Sequence, residues 1–162
     1  MKILVFSDSH GNRQRMRRAI ELQPRRVRAV FFLGDGLRDV EESTADGAEL
    51  YTVCGNCDWF CGDAPTELVR ELEGFRFLAT HGHAYSVKSG LGALIARAVE
   101  ADADVALFGH THRCFAGYVG RALLINPGAL KSGSYCMLTI DKGDVIPRMM
   151  DLDKEIQKGM IP

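Results

Sequence analysis

The sequence predicts a mixed α/β domain in which two packed β-sheets carry helices on their outer sides. Three observations lead there. The first half alternates short apolar runs with segments of helical period, the order that builds a parallel sheet. The second half is mostly strand-like, so the parallel region feeds an antiparallel one. The chain has 162 residues, enough for one domain with a proper core and too few for two comfortable ones. Residues 1–162 are therefore read as a single domain, with 151–162 as a charged, partly mobile tail.

Each element has its own signal. Residues 2–7 read as a buried strand, because Ile3-Leu4-Val5-Phe6 is a near-continuous apolar run ending at small polar residues. A helix over 12–23 follows, with Met16, Ala19 and Ile20 on its buried stripe and Pro24 stopping it. Its other side, Arg13, Arg15, Arg17, Arg18 and Glu21, reads as a solvated face. Ala29 to Leu33 and Leu50 to Cys54 are two further buried strands, with a short helix over 37–45 between them. Glu67 to Leu72 and Phe75 to Thr80 form a hairpin across Glu73-Gly74. A Gly- and Ala-rich helix spans Ser86 to Ala101 through Leu91, Leu94, Ile95, Ala98 and Val99. Strands over 105–108, 114–119, 122–125, 134–140 and 144–150 complete the chain, with turns at Gly120-Arg121 and Asp141-Lys142-Gly143-Asp144.

Hydrophobic residues make 46% and charged residues 25%, which is ordinary for a globular protein and excludes a disordered one. The formal net charge of −1 supplies no global field toward nucleic acid or membrane, so stable nucleic-acid binding is not expected. No apolar stretch approaches the ~20 residues of a membrane span, and no signal peptide precedes the first strand; the expected location is the cytoplasm. The five cysteines, Cys54, Cys57, Cys61, Cys114 and Cys136, are expected to be reduced. The alternative is a thiolate zinc site from Cys54, Cys57 and Cys61, which lacks a second paired cluster.

All five histidines fall in three short clusters, each after an apolar run: Asp8-Ser9-His10, His81-Gly82-His83 and His110-Thr111-His112. Asp35 and Asn56 sit at two more strand ends, within Gly34-Asp35-Gly36 and Gly55-Asn56-Cys57-Asp58. Ligands of open α/β sheets bind at the carboxyl ends of strands, where such loops converge. Residues two apart in an extended segment point the same way, so Asp8 with His10, and His110 with His112, can face one site. Seven ligand candidates (Asp8, His10, Asp35, Asn56, His81, His110, His112) are too many for one tetrahedral zinc. They suit two cations sharing a carboxylate, at a typical separation of ~3.5–4 Å. Two divalent cations with two aspartates leave a charge near +2, which binds an anionic phosphoester on a nearly neutral protein.

Order, spacing and strand context of these five motifs, from residue 1 to about residue 130, closely resemble the calcineurin-like metallophosphoesterases, in particular their small bacterial and archaeal phosphodiesterase branch. The resemblance implies a four-layer α/β/β/α sandwich of two mixed β-sheets flanked by helices. Carried onto this sequence, it places Asp8, His10 and His112 on one metal, Asn56, His81 and His110 on the other, and Asp35 between them. It implies two divalent ions, manganese foremost, with iron, zinc or nickel as alternatives.

The expected activity is a metal-dependent phosphodiesterase, in which a hydroxide bridging two metal ions attacks a small phosphoester in line. Asp35, Asn56, Asp58 and His83 are the expected catalytic residues. Cys57 stands where many relatives carry a histidine that serves phosphate or leaving group. A neutral thiol is a poor proton donor, so good leaving groups are favoured. His83 remains without a ligand role and is a candidate for substrate contact or proton shuttling. Asn126-Pro127-Gly128-Ala129 reads as a rigid turn, Asn12 as a helix cap, a support behind the ligand residues or both, and Asp39 as a solvated helix residue. Two alternatives share the site: a phosphomonoesterase, with Arg38 or Lys88 meeting the extra charge, and a non-enzymatic scaffold of the same fold. Exposed strand edges in the second half make a homodimer or higher oligomer plausible.

Overall fold

The computed structural model describes residues 1–23, 27–40 and 47–159. Ten strands form two five-stranded sheets. In the first sheet, β1 (Lys2–Phe6), β2 (Val27–Phe32) and β3 (Glu49–Thr52) run parallel, and β9 (Ser134–Asp141) and β10 (Asp144–Asp151) extend it antiparallel from β1. In the second, β5 (Phe75–Thr80), β6 (Val105–Leu107) and β8 (Ala122–Pro127) run parallel; β4 (Glu67–Leu72) and β7 (Cys114–Val119) pair antiparallel at its edges.

Alternation along each strand decides the layers. Ile3 and Val5 of β1 meet Phe77, Ala79, Val105 and Leu107 of the second sheet in the central core. Leu4 and Phe6 point the opposite way, onto Met16 and Ala19 of α1 (Arg13–Glu21). On the far side, Leu78, Ala106 and Leu124 pack under Leu94 and Ala98 of α3 (Gly92–Glu100). A strand covered on both faces must be apolar at every position, which is why these strands read as continuous runs rather than alternating ones. The result is the expected α/β/β/α sandwich of two mixed sheets.

Three element expectations need correction. The helix expected over 86–101 begins only at Gly92, because Ser86 and Gly90 take positive φ (51° and 150°) and break the earlier part into turns. The expected tail is replaced over Leu152–Gly159 by a helix, α4. Leu152 is fully buried and Ile156 packs beside the α1 cluster, while Arg15 of α1 pairs with Asp153 at 3.1 Å. Burying one leucine stabilises by about 2 kcal/mol, enough to dock a short charged helix. Of the helix expected over 37–45, α2 covers Leu37–Val40; residues 41–46, like Pro24, lie outside the described residues. No helix among the described residues is long and apolar enough to cross a membrane.

Candidate metal centre

The loops after β1, β2, β3, β5 and β6 converge where the two sheets meet, all at carboxyl ends of parallel strands. Backbone bonds stitch them together: Asp8 N donates to the Gly34 carbonyl (3.0 Å), His10 N to that of Asp35 (3.0 Å), and Gly109 N to that of His81 (3.0 Å). Gly55 is required by close approach, since a Cβ there would lie 2.2 Å from Asp35 Oδ1.

The side chains are aimed by strained backbone, which departs from the extended geometry expected. Asp8, His10, Asp35, His110 and His112 all adopt left-handed φ, between 48° and 64°. Non-glycine residues seldom do so, and five ligand candidates sharing the conformation mark a site whose surroundings hold the strain.

Three overlapping groups of donor atoms result. Asp8, His10 and His112 form one, Asp35, His81 and His110 a second, and His10, Asp35 and Cys57 a third that joins them, with all atoms in each group within 4.8 Å of one another. Asp8 Oδ2 accepts from Ser7 Oγ (2.6 Å) and His110 N (3.1 Å). That leaves Oδ1 buried, without a hydrogen bond, 3.0 Å from His112 Nε2. In the second group His81 Nδ1 donates to the Leu33 carbonyl (2.7 Å) and turns Nε2 toward the site. It faces Asn56 Oδ1 (3.1 Å), His110 Nδ1 (3.2 Å) and Asp35 Oδ2 (3.4 Å). Nitrogen and oxygen atoms gathered this closely could hold a cation. Asp35 Oδ2 also lies 3.9 Å from His10 Nε2, so one oxygen stands between the first two groups. The donor set of nitrogen and oxygen atoms fits first-row divalent metals.

The proton affinities agree. Burial pushes the Asp35 carboxyl up, but hydrogen bonds from His81 and the Cys57 N–H outweigh it and hold the group well below the usual carboxylate range. Burial opposes charge on His81, yet Asp35 and Asp8 outweigh it and raise its affinity for a proton. His110 and His83 are lowered, first by burial and then by the charge on His81.

A family model for the calcineurin-like phosphoesterase superfamily domain matches residues 1–143. The chain belongs to that superfamily. It is 32% identical over 158 residues to the probable metallophosphoesterase YsnB of Bacillus subtilis strain 168, covering 93% of this chain and 91% of that one. It is 30% identical over 149 residues to the phosphodiesterase MJ0936 of Methanocaldococcus jannaschii, covering 79% and 83%. Among solved structures, a conserved protein of Streptococcus pneumoniae TIGR4 superposes with a TM-score of 0.78 at 29% identity, over 94% of this chain and 90% of that one.

Four groups around this phosphoesterase centre differ from the sequence expectations. Asp58 turns both carboxylate oxygens to backbone, accepting from the N–H groups of Asp35, Gly36, Leu37 and Gly55 at 2.8–3.0 Å. It positions the Asp35 and Asn56 loops rather than presenting a free acid. Asp39 is buried, not solvated, and takes hydrogen bonds from Ser9 Oγ (2.5 Å) and Gly11 N (2.9 Å). Asn12 occupies the helix cap position without a side-chain cap bond. Cys54 and Cys61 are joined by a disulfide, correcting both the reduced-thiol reading and its zinc alternative for this pair. Their Cα atoms come within 5.5 Å because the 54–61 loop folds back on itself.

Asn126 does more than end a strand. Buried, it donates through Nδ2 to the Gly109 carbonyl (2.8 Å) and Thr111 Oγ1 (3.1 Å), and its Oδ1 accepts from Gly128 N (2.9 Å). It therefore clamps the loop that carries His110 and His112. In the sequence, Asn126-Pro127-Gly128 directly after an apolar strand is the signal of this role. His83 lies beside the ligands, its ring centroid 5.4 Å from that of His81. Its buried Nδ1 has no hydrogen-bond partner. Cys57 is exposed, and burial of its sulfur, then Asp35 and its neighbouring carboxylates, push the thiol above its ordinary pKa.

Proposed function

We propose that this phosphoesterase is a phosphodiesterase working with two divalent cations, manganese in the first place. The observation that carries the reading is Asp35 Oδ2, set 3.9 Å from His10 Nε2 and 3.4 Å from His81 Nε2, between the Asp8–His10–His112 donors and the Asn56–His81–His110 donors. Asp8, His10 and His112 would hold one ion, Asn56, His81 and His110 the other, and Asp35 both. When bound, the cations neutralise charge on the phosphoryl oxygens and ready a water for in-line attack. The chain supplies the alignment: Ser7 fixes Asp8, the Leu33 carbonyl fixes the His81 ring, and Asn126 fixes the loop of His110 and His112. His83, its ring centroid 5.4 Å from that of His81, would contact substrate beside the cations.

The Cys57 thiol, raised above its ordinary pKa by burial and by Asp35, is a weaker acid than the imidazolium many relatives carry there, so esters with acidic leaving groups are the preferred substrates. Metal analysis and rates over a series of aryl phosphodiesters test this. Two ions per chain, metal-dependent turnover and rates rising as leaving-group pKa falls are expected; no phosphoester turnover under any added metal would remove the reading. Arg38 lines the same cavity as His10 and Asp35 and favours a second reading, a phosphomonoesterase, because a guanidinium suits the extra charge. Paired mono- and diesters of one phenol separate the two.

A further inference from the structure

We propose that Trp59, Phe60 and Arg38 form a stacking platform for the planar base of a nucleotide-type phosphodiester. This names a substrate class for the phosphodiesterase reading above and rests on it. Trp59 is 99% exposed and Phe60 74%, so two adjacent aromatic rings add almost nothing to the core. Both line a cavity of about 280 Å³ together with His10, Asp35, Cys57 and Arg38. The rings and the candidate metal ligands thus face one space.

The platform is held from both sides. Asp58, just before Trp59, is fastened by four backbone N–H groups. Cys61, just after Phe60, is bonded to Cys54 beside the ligand loop. An aromatic tip anchored so closely on either side is displayed in advance of binding, and little ordering cost remains when a ligand arrives. Arg38 is exposed and lines the same cavity, so its guanidinium can meet a sugar–phosphate edge or a stacked ring there. Exposed aromatics beside a guanidinium suit bases that offer a π-face and a nearby negative charge. An aliphatic substituent would gain burial here but no stacking. A protein occupant would seal the cavity that the ligand set opens into.

Trp59 is the only tryptophan of the chain, so its fluorescence reports the platform directly. The purified full chain is titrated with adenosine 5′-monophosphate and, at equal ionic strength, with ribose 5-phosphate, which lacks only the base. Saturable quenching by the nucleotide and little response to the sugar phosphate are expected. Equal responses, or none to either, overturn the proposal. In a second arm, kcat/KM is compared for a nucleoside p-nitrophenyl diester and methyl p-nitrophenyl phosphate, which share a leaving group. Trp59→Ala should cut the preference for the nucleoside ester about tenfold, the scale of one base–aromatic stack. An unchanged preference counts against the platform. If neither ester is hydrolysed under any metal, the phosphodiesterase reading falls, while the fluorescence titration still decides the platform.

Discussion

The Nδ1–H of His81 donates to the Leu33 carbonyl at 2.7 Å, a bond that reaches from the second sheet to the end of a strand in the first. It orients a fully buried imidazole and leaves Nε2 aimed at Asn56, His110 and Asp35. The two sheets therefore contribute to one donor group through a single ring. His81→Ala should remove that group's central nitrogen and leave Asp8, His10 and His112 intact. Metal analysis of the variant is expected to show one ion where the parent chain shows two. Two retained ions would contradict the assignment of His81.

Asp35 occupies a different position, because its Oδ2 serves both groups. Asp35→Asn keeps the shape and withdraws the charge, so both ions should be lost or weakened together. We expect the variant to retain less than one ion after gel filtration and to fall at least a hundredfold in kcat. A variant that bound two ions with unchanged affinity would show that the carboxylate does not lie between them.

Gly55 controls Asp35 without touching an ion. A Cβ at residue 55 would meet Asp35 Oδ1 at 2.2 Å and Asp35 N at 2.5 Å, and backbone cannot yield as a flexible side chain can. Gly55→Ala should therefore displace the carboxylate while leaving the apolar core in place. The expected result is a folded protein by circular dichroism whose metal affinity has dropped at least tenfold by calorimetry. Parent-like affinity would mean that the loop can move aside freely.

How much of this was legible in the sequence follows from where the information lies. Strands such as Ile3-Leu4-Val5-Phe6 are covered on both faces, so local composition alone reveals them. The ligand candidates were visible because each sits just past such a run. What could not be read were partners distant in the chain. Asp58 fastens N–H groups of residues 35–37, Asn126 clamps residues 109–111, and Leu152 docks α4 beside α1. The left-handed backbone at Asp8, His10, Asp35, His110 and His112 was equally hidden, since strain at a non-glycine residue leaves no compositional trace. The Cys54–Cys61 bond depends on how the loop folds back, not on spacing.

The Asp58 assignment has a thermodynamic consequence. Asp58→Asn replaces one of the two acceptor oxygens by a donor NH2, which then faces N–H groups of the neighbouring loops. Losing charged acceptance there should destabilise the fold by about 2 kcal/mol. Denaturant unfolding of the metal-free protein checks the value separately from any effect on turnover. If stability is unchanged but activity is lost, Asp58 acts on substrate, as the sequence alone suggested.

Cation binding should in turn stabilise the whole chain. Without a cation the site leaves Asp8 Oδ1 without a hydrogen bond and gathers Asn56 Oδ1 and Asp35 Oδ2 around His81 Nε2, an arrangement that positive charge relieves. The unfolded chain separates these groups and binds far more weakly. At a manganese concentration one hundred times Kd the linkage is worth about 2.7 kcal/mol per site. A domain of this size gains about 2–4 °C in Tm per kcal/mol, so with both ions bound the midpoint should rise by about 10–20 °C and fall back on chelation. The same addition should leave the Asp35→Asn variant almost unmoved. A rise of equal size in both proteins would locate the stabilising ion elsewhere on the molecule.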